Sequence, residues 1–371
     1  MKNKQILVTQ PSMPDFDEYV NEIRSIFESK WLTNMGKKHN EFEQKLKQYL
    51  GIKNLSLFTN GHSALYIGIK AMNFPKGSEI ITTPFSFAST THAIIQNGFK
   101  PVFCDINEED YTIDVNKIEE KITKNTVAIL PVHVYGHICD VEKIDEIAKK
   151  YKLKVIYDAA HTFGVKYKDK SIANYGDISM FSFHATKVFN TIEGGALVYK
   201  DEKLREDMEK LKNFGINGEQ FDCAGINAKM NEFCAAMGIC NLRHIDNEIA
   251  KRKKVYNRYI QNLSTIDGIK VPKAQKDVIS NYSYLPVIFD KKTFGQNRDE
   301  VMEKLKEEDI FTRKYFYPLI NEYRCYQNRE KKNNDMPIAK KISDNVLTIP
   351  LYADLSTEEV DRICEIINKR V

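Results

Sequence analysis

Lys187 stands in Ser182-Phe-His-Ala-Thr-Lys187-Val-Phe-Asn-Thr-Ile-Glu193-Gly-Gly-Ala196, and 29 residues upstream Asp158 stands in Tyr157-Asp158-Ala-Ala-His161-Thr-Phe-Gly164. An amine condenses with a carbonyl and a carboxylate keeps a ring nitrogen protonated, so this pair suits an aldehyde cofactor held at both ends. Neither residue carries that reading alone. An aspartate after a strand is commonly a turn or capping residue, and most lysines are solvated.

The surrounding residues raise both. Thr59-Asn60-Gly61-His62-Ser63-Ala64 has the form of a strand, a glycine turn and a helix start, where backbone N–H groups offer a phosphate cradle and Ser63 adds a hydroxyl. The plain alternative is a strand-to-helix turn capped by Ser63. Phe87, in Pro84-Phe-Ser-Phe-Ala-Ser-Thr90, follows the next strand, where an aromatic face stacks on a planar ring or simply fills core.

Something must position these residues. Leu55–Thr59, Glu79–Thr83, Pro101–Asp105, Val127–Val132, Lys154–Asp158, Ile178–Phe183 and Ala196–Tyr199 have the composition of strands, several of them continuously apolar. Strands buried on both faces have that signature, and helical patterns such as Val141, Ile144, Ile147, Ala148 and Tyr151 lie between them. The expectation is a mostly parallel seven-stranded α/β sheet covered by helices. Asp158 then ends a strand at the sheet's carboxyl edge, where ligands collect. Beyond Tyr199 come longer helical stretches, 201–213 and 229–265, then a strand at Ser283–Phe289 and helices at Arg298–Glu308 and Thr357–Lys369. This places a large domain over 1–250 and a smaller C-terminal α+β domain over 251–371. Residues 326–340 are polar and are expected to form a surface loop.

At 371 residues the chain can bury a substantial core. Its 55 basic and 51 acidic residues leave a net charge of +4, spread in short lysine runs, which implies no nucleic-acid partner. Seven cysteines without a CxxC pair fit free thiols in a reducing compartment. No stretch approaches the ~18 apolar residues of a membrane span, and the N-terminus has no secretion-signal pattern. The expectation is a cytoplasmic protein without a membrane partner. His133, His137 and Cys139 are zinc-ligand types at short spacing, but no second ligand pair accompanies them, so no metal is expected.

Taken together, the Asp158-Ala-Ala and Phe181-Ser-Phe-His-Ala-Thr-Lys187…Gly194-Gly195 segments resemble the DegT-type sugar aminotransferases, fold-type I enzymes dependent on pyridoxal 5'-phosphate. The resemblance spans nearly the whole chain, from Trp31-Leu-Thr-Asn-Met-Gly36 to Tyr315-Phe-Tyr-Pro-Leu319 and Ile349-Pro-Leu351. It implies that Lys187 is the Schiff-base lysine, Asp158 the pyridinium partner and Phe87 the stacking residue. Ser182 and the Gly61, His62 and Ser63 backbone would hold the phosphate, and His161 would lie near the phenolic oxygen. Asn227 matches an asparagine that reaches the phosphate from the neighbouring subunit, which implies a homodimer with shared sites.

Two departures stand out. Gly61-His62 replaces the usual Gly-Thr and loses a hydroxyl donor, while Asn227-Ala-Lys229-Met230 carries lysine where arginine is usual and loses a planar fork. For substrates, Trp31, Thr33, Asn34, Arg313, Lys314 and Tyr317 are the candidates for a sugar nucleotide. Their segments look most like the enzymes that use L-glutamate to aminate C4 of dTDP-4-keto-6-deoxyglucose, for surface glycans such as O-antigen. Amination at C3, or of a UDP-linked sugar, is the alternative within the family. The dehydratase branch has histidine in place of the lysine, and Lys187 argues against it. A non-catalytic cofactor-binding regulator has no need to keep both Lys187 and Asp158. A small amino-acid transaminase would use an arginine such as Arg313 for the donor carboxylate.

Overall fold

A computed structural model describes residues 5–326 and 335–369. The central sheet has seven strands: β1 (Leu55–Phe58), β2 (Glu79–Thr82), β3 (Lys100–Phe103), β4 (Thr126–Leu130), β5 (Lys154–Asp158), β6 (Ile178–Ser182) and β7 (Gly195–Tyr199). Their order is β1-β7-β6-β5-β4-β2-β3. Strands β2 to β6 run parallel, and β7 is antiparallel to both neighbours. The expected sheet is present, strand for strand.

Side chains on a strand alternate between faces, and here both faces are covered. Ile80, Ala128, Leu130, Ile156, Ile178 and Leu197 pack under α3 (Gly61–Ala71) and α4 (Ala88–Gln96). Their neighbours Ile81, Ile129, Val155, Tyr157, Ala196 and Val198 pack under α2 (Lys37–Leu50) and α5 (Val141–Tyr151) on the other side. In α5, Asp140 caps the Lys143 N–H, and Val141, Ile144, Ile147 and Ala148 form the buried stripe.

Leu204–Leu211 forms α6, after which the 32-residue α7 (Glu232–Leu263) runs from one core to the next. Ala235, Ile239 and Ile245 join the core of the large sheet, while Val255, Tyr259 and Leu263 join a second cluster. Residue 250 lies inside this helix. The second cluster surrounds a three-stranded antiparallel sheet of β8 (Ile269–Lys270), β9 (Leu285–Phe289) and β10 (Val346–Ile349), with α8 (Arg298–Glu307), α9 (Pro337–Asn345) and α10 (Thr357–Asn368). Ile6 also belongs to it, bridged in parallel to Ile310, so the start of the chain is tied to the C-terminal unit.

The surface-loop expectation for 326–340 is corrected at its end. Pro337 opens α9 at the first helical positions, where its fixed φ suits the helix, and Ala339, Ile342 and Ser343 are buried. Residues 327–334 of that stretch lie outside the described residues. Helix α1 (Phe16–Ser29), capped by Asp15, and α2 were not anticipated. Among the described residues no helix is long and apolar enough to cross a membrane.

Candidate active site

Each element of the site lies at the carboxyl edge of the parallel strands, as expected for ligand-binding α/β sheets. Asp158 is the last residue of β5 and Ser182 of β6; Phe87 follows β2, and the N-terminus of α3 follows β1. Lys187 sits in the turn between β6 and β7, where its N–H donates to His184 O at 2.9 Å. From the C-terminal unit come Tyr284, just before β9, and Tyr315 and Phe316. Together these residues enclose a cavity of ≈330 Å³.

Asp158 is buried. Its Oδ2 accepts the Thr90 hydroxyl at 2.7 Å, and its Oδ1 accepts the Ala160 N–H at 3.2 Å. Burial pushes its pKa above the ordinary carboxylate value, against the opposing pull of the Thr90 and Ala160 donors and of the Lys187 charge. Lys187 Nζ lies 3.5 Å from the Tyr284 hydroxyl and 5.7 Å from that ring's centroid.

His161 is held neutral, because burial and then the nearby Lys187 charge push its pKa well below the usual histidine value. Its Nδ1 accepts the Tyr135 N–H at 3.0 Å, so the ring proton resides on Nε2. Its ring lies parallel to Phe316 at 6.2 Å and edge-on to Tyr284 at 4.9 Å. The Tyr135 hydroxyl donates to the Tyr315 carbonyl, which ties the same wall to the C-terminal unit.

The cap of α3 differs from expectation. Asn60 is the N-cap, and its Oδ1 takes the Ser63 backbone N–H at 2.8 Å, which removes that donor; Ser63 does not line the cavity. The N–H groups of Gly61 and His62, both in the wall, have no carbonyl four residues back in a helix. Gly61 is close-packed: a Cβ there would sit 2.9 Å from Ser182 Cβ. His62 lines the cavity too, with Nδ1 2.9 Å from Ser89 Oγ and Nε2 3.0 Å from Gln96 Oε1, so the side chain that replaces a threonine is engaged by α4.

Of the residues singled out in the sequence, Gly61, His62, Phe87, Asp158, His161, Ser182 and Lys187 meet in this cavity. Asn227 is exposed away from it, its Oδ1 accepting Lys229 Nζ at 2.8 Å. Trp31, Thr33 and Asn34 are exposed between α1 and α2 and line no part of it. Lys314 pairs with Asp299 at 2.7 Å, Tyr317 lies over the Arg298 guanidinium at 4.4 Å, and Arg313 pairs through its backbone with Thr348. Sequence reasoning missed Tyr284, Tyr315, Phe316 and the Ser86–Thr90 hydroxyl pair. Choosing cations around residues 313–317 led past the aromatic residues between them. His133 accepts the Cys139 N–H at 3.0 Å and stacks on Tyr157 at 4.5 Å. Among the described residues no three His, Cys, Asp or Glu side chains converge as a metal site.

These residues fit pyridoxal phosphate. A buried carboxylate suits the ring nitrogen, a lysine the aldehyde, an exposed aromatic face at Phe87 the ring, and a helix N-terminus with the Ser182 hydroxyl the phosphate.

Fold and cavity thus define an aminotransferase-type enzyme built for an aldehyde cofactor. The chain belongs to the DegT/DnrJ/EryC1/StrS aminotransferase family, which it matches over residues 15–368. It is 43% identical over 369 residues to the dTDP-4-amino-4,6-dideoxy-D-glucose transaminase of Shigella dysenteriae, covering 99% of both chains. With the GDP-perosamine synthase of Escherichia coli O157:H7 it shares 34% over 370 residues, 99% of this chain and 98% of the other. Among solved structures, DesI in the presence of its TDP-sugar product superimposes with a TM-score of 0.93 at 29% identity, covering 99% and 93% of the two chains. Helicobacter pylori PseC, an aminotransferase involved in the biosynthesis of pseudoaminic acid, gives 0.91 at 28%, covering 99% of each.

Proposed function

We propose that this enzyme, with pyridoxal phosphate bound, moves the amino group of L-glutamate to C4 of dTDP-4-keto-6-deoxy-D-glucose. The sugar's keto oxygen is replaced by nitrogen, and glutamate leaves as 2-oxoglutarate. The carrying observation is the 43% identity over 99% of both chains to transaminases named for dTDP-4-amino-4,6-dideoxy-D-glucose, joined to a cavity that unites Lys187 and Asp158.

When bound, the cofactor supplies an aldehyde that takes an amine and a ring that accepts electrons from the adjacent carbon. Lys187 is the amine that would hold the aldehyde, and its Nζ would carry a proton to and from the reacting carbon. Tyr284, 3.5 Å away, orients that amine. Asp158 holds the ring nitrogen's proton. The neutral His161 offers its Nε2–H as a donor. Gly61, His62 and Ser182 would hold the phosphate, and Phe87 would cover the ring.

The homodimer reading is supported by exposed apolar side chains around the two-stranded hairpin Ile216–Asn217/Gln220–Phe221: Phe221, 71% exposed, with Phe214, Ile216 and Ile226. Asn227 follows this hairpin, exposed, and on this reading it would serve a neighbouring subunit's phosphate. Light scattering on the purified enzyme gives its mass directly; a monomer that retains full turnover removes this reading. The division into a large unit over 1–250 and a small one over 251–371 is retained as a proposal, with α7 as their shared helix.

Incubation with glutamate and dTDP-4-keto-6-deoxyglucose, followed by NMR of the product, tests the substrate assignment. Nitrogen on C4 is expected. Nitrogen on C3, or turnover only with a UDP-linked keto-sugar, refutes it.

A further inference from the structure

The carboxylate at the base of the cavity is held by a two-hydroxyl chain that the reaction does not consume. Thr90 lies in the first turn of α4 and Ser86 just before its N-cap, and both are buried, at 0% and 2% exposure. Thr90 Oγ1 lies 2.7 Å from Asp158 Oδ2, and Ser86 Oγ lies 2.8 Å from Thr90 Oγ1. The direction of this chain follows from the acceptor at its end. An ionised carboxylate only accepts, so Thr90 must spend its one hydrogen on Asp158 and can only accept from Ser86. Ser86 therefore donates to Thr90. The Ala160 N–H occupies the other oxygen, Oδ1.

We infer that Thr90 is a positioning residue for Asp158, and that the Ser86–Thr90 chain holds the carboxylate ionised and aimed at the cofactor's ring nitrogen. This rests on the proposed role of Asp158. The physical need is specific to this site. A carboxylate without solvent is costly to keep charged, and burial here raises the Asp158 pKa, while the Thr90 hydroxyl is foremost among the groups that lower it. Hydrogen bonds to a charged acceptor are about twice as strong as neutral ones. Ser86 polarises the Thr90 hydroxyl by donating to it, so the two act in series.

Thr90→Val keeps the side-chain shape and removes the donor. Thr90→Ser keeps the donor, and Asp158→Asn removes the charge. Each variant is stripped of cofactor, reconstituted with pyridoxal phosphate labelled with ¹⁵N in the ring, and examined by ¹⁵N NMR, with affinity measured in parallel. In wild type and Thr90→Ser the ring nitrogen should give the protonated signal. In Thr90→Val the signal should move toward the unprotonated position and affinity should drop by roughly tenfold, the worth of one charge-assisted hydrogen bond. A Thr90→Val protein with wild-type signal and affinity, beside a displaced signal in Asp158→Asn, overturns the Thr90 role and leaves Asp158's intact. An undisplaced signal in Asp158→Asn removes the Asp158 reading and this inference with it. Should Thr90→Val fail to fold, Ser86→Ala decides: a smaller displacement in the same direction supports the chain, and an unmoved signal overturns it.

Discussion

The Tyr135 backbone N–H donates to His161 Nδ1 at 3.0 Å, and this one bond sets which face of the imidazole can act in the cavity. Tyr135 sits at φ 59°, a conformation uncommon for a non-glycine residue, in the turn after β4. The turn thus aims an amide at a histidine beyond the neighbouring strand, β5, and the proton left on Nε2 is a consequence of backbone geometry. His161→Gln can keep both functions, its carbonyl accepting from Tyr135 and its amide donating onward. Turnover within about tenfold of wild type is expected. His161→Leu leaves a buried N–H unpaired, which costs about 1–3 kcal/mol. Urea unfolding of the two variants checks this, and equal stabilities would refute it.

The same burial has a pH signature. His39 is pushed down to about 4 and His133 to about 3, both by burial, and His161 well below its usual value. Each is neutral in the fold, while the unfolded chain protonates its histidines near pH ~6.5. Their contribution is therefore intact above that value and is lost as pH falls below it, at up to about 1.4 kcal/mol per histidine per pH unit. Asp158 acts in the opposite sense. Its folded pKa is raised, so its burden is present above the unfolded value and is relieved on acidification. Glu22, Glu43 and Glu248, lowered by their cationic and hydrogen-bonding partners despite burial, lose their contributions only below the ordinary glutamate range. Between pH ~6.5 and ~4.5 the histidines dominate. Stability should fall steeply across that window, and His133→Gln should flatten the slope by one proton's worth; urea titrations at several pH values measure both.

How much of this was legible beforehand depended on whether the signal was local. Several strands announced themselves because a strand buried on both faces tends to be continuously apolar, as residues 127–130 and 196–199 are. Asp158, Ser182 and Lys187 could be placed from the segments around them. Tyr284 could not, since nothing near it in sequence says that β9 delivers it to a lysine 97 positions earlier. The Asn60 cap shows a different failure: Asn60 and Ser63 are both good caps, and only the backbone angle at Asn60, φ −164° and ψ 168°, decides between them. Helix α2 escaped because its buried stripe includes Lys38, His39 and Glu43, which a search for apolar periodicity passes over. Glu43 is paired with Lys47 at 2.6 Å and Arg205 at 3.1 Å, partners invisible to such a search.

Lys187→Ala is expected to bind cofactor without the visible absorption of the covalently held form, and to lose turnover by about 10³-fold, within the range for a lost acid–base group. Stability should change little, because among the described residues the amine's one hydrogen-bond partner is the Tyr284 hydroxyl, at the long distance of 3.5 Å. Tyr284→Phe should be far milder. Spectra and steady-state rates separate the two, and a Lys187→Ala protein that keeps its rate would defeat the assignment of this lysine.

Gly195 tests whether the phosphate end of the cavity is built by close backbone approach. It opens β7 and pairs with Phe58 on one side and Ser182 on the other, so it lies between the strand that leads into α3 and the proposed phosphate serine. A Cβ at this position would sit 2.6 Å from the Asn60 carbonyl carbon and 2.7 Å from the Gly61 nitrogen, both backbone atoms that cannot swing aside. Gly195→Ala must therefore push β7 away from the first turn of α3 and displace the Gly61 and His62 N–H groups relative to Ser182. Overpacking of this kind costs about 1–3 kcal/mol. Gly51, which has open space around it but lies at φ +61° at the end of α2, supplies the control: Gly51→Ala carries backbone strain without touching the cavity. Both variants should melt earlier than wild type, and only Gly195→Ala should also bind pyridoxal phosphate more weakly; equal affinities in the two would mean that the cradle does not depend on this contact.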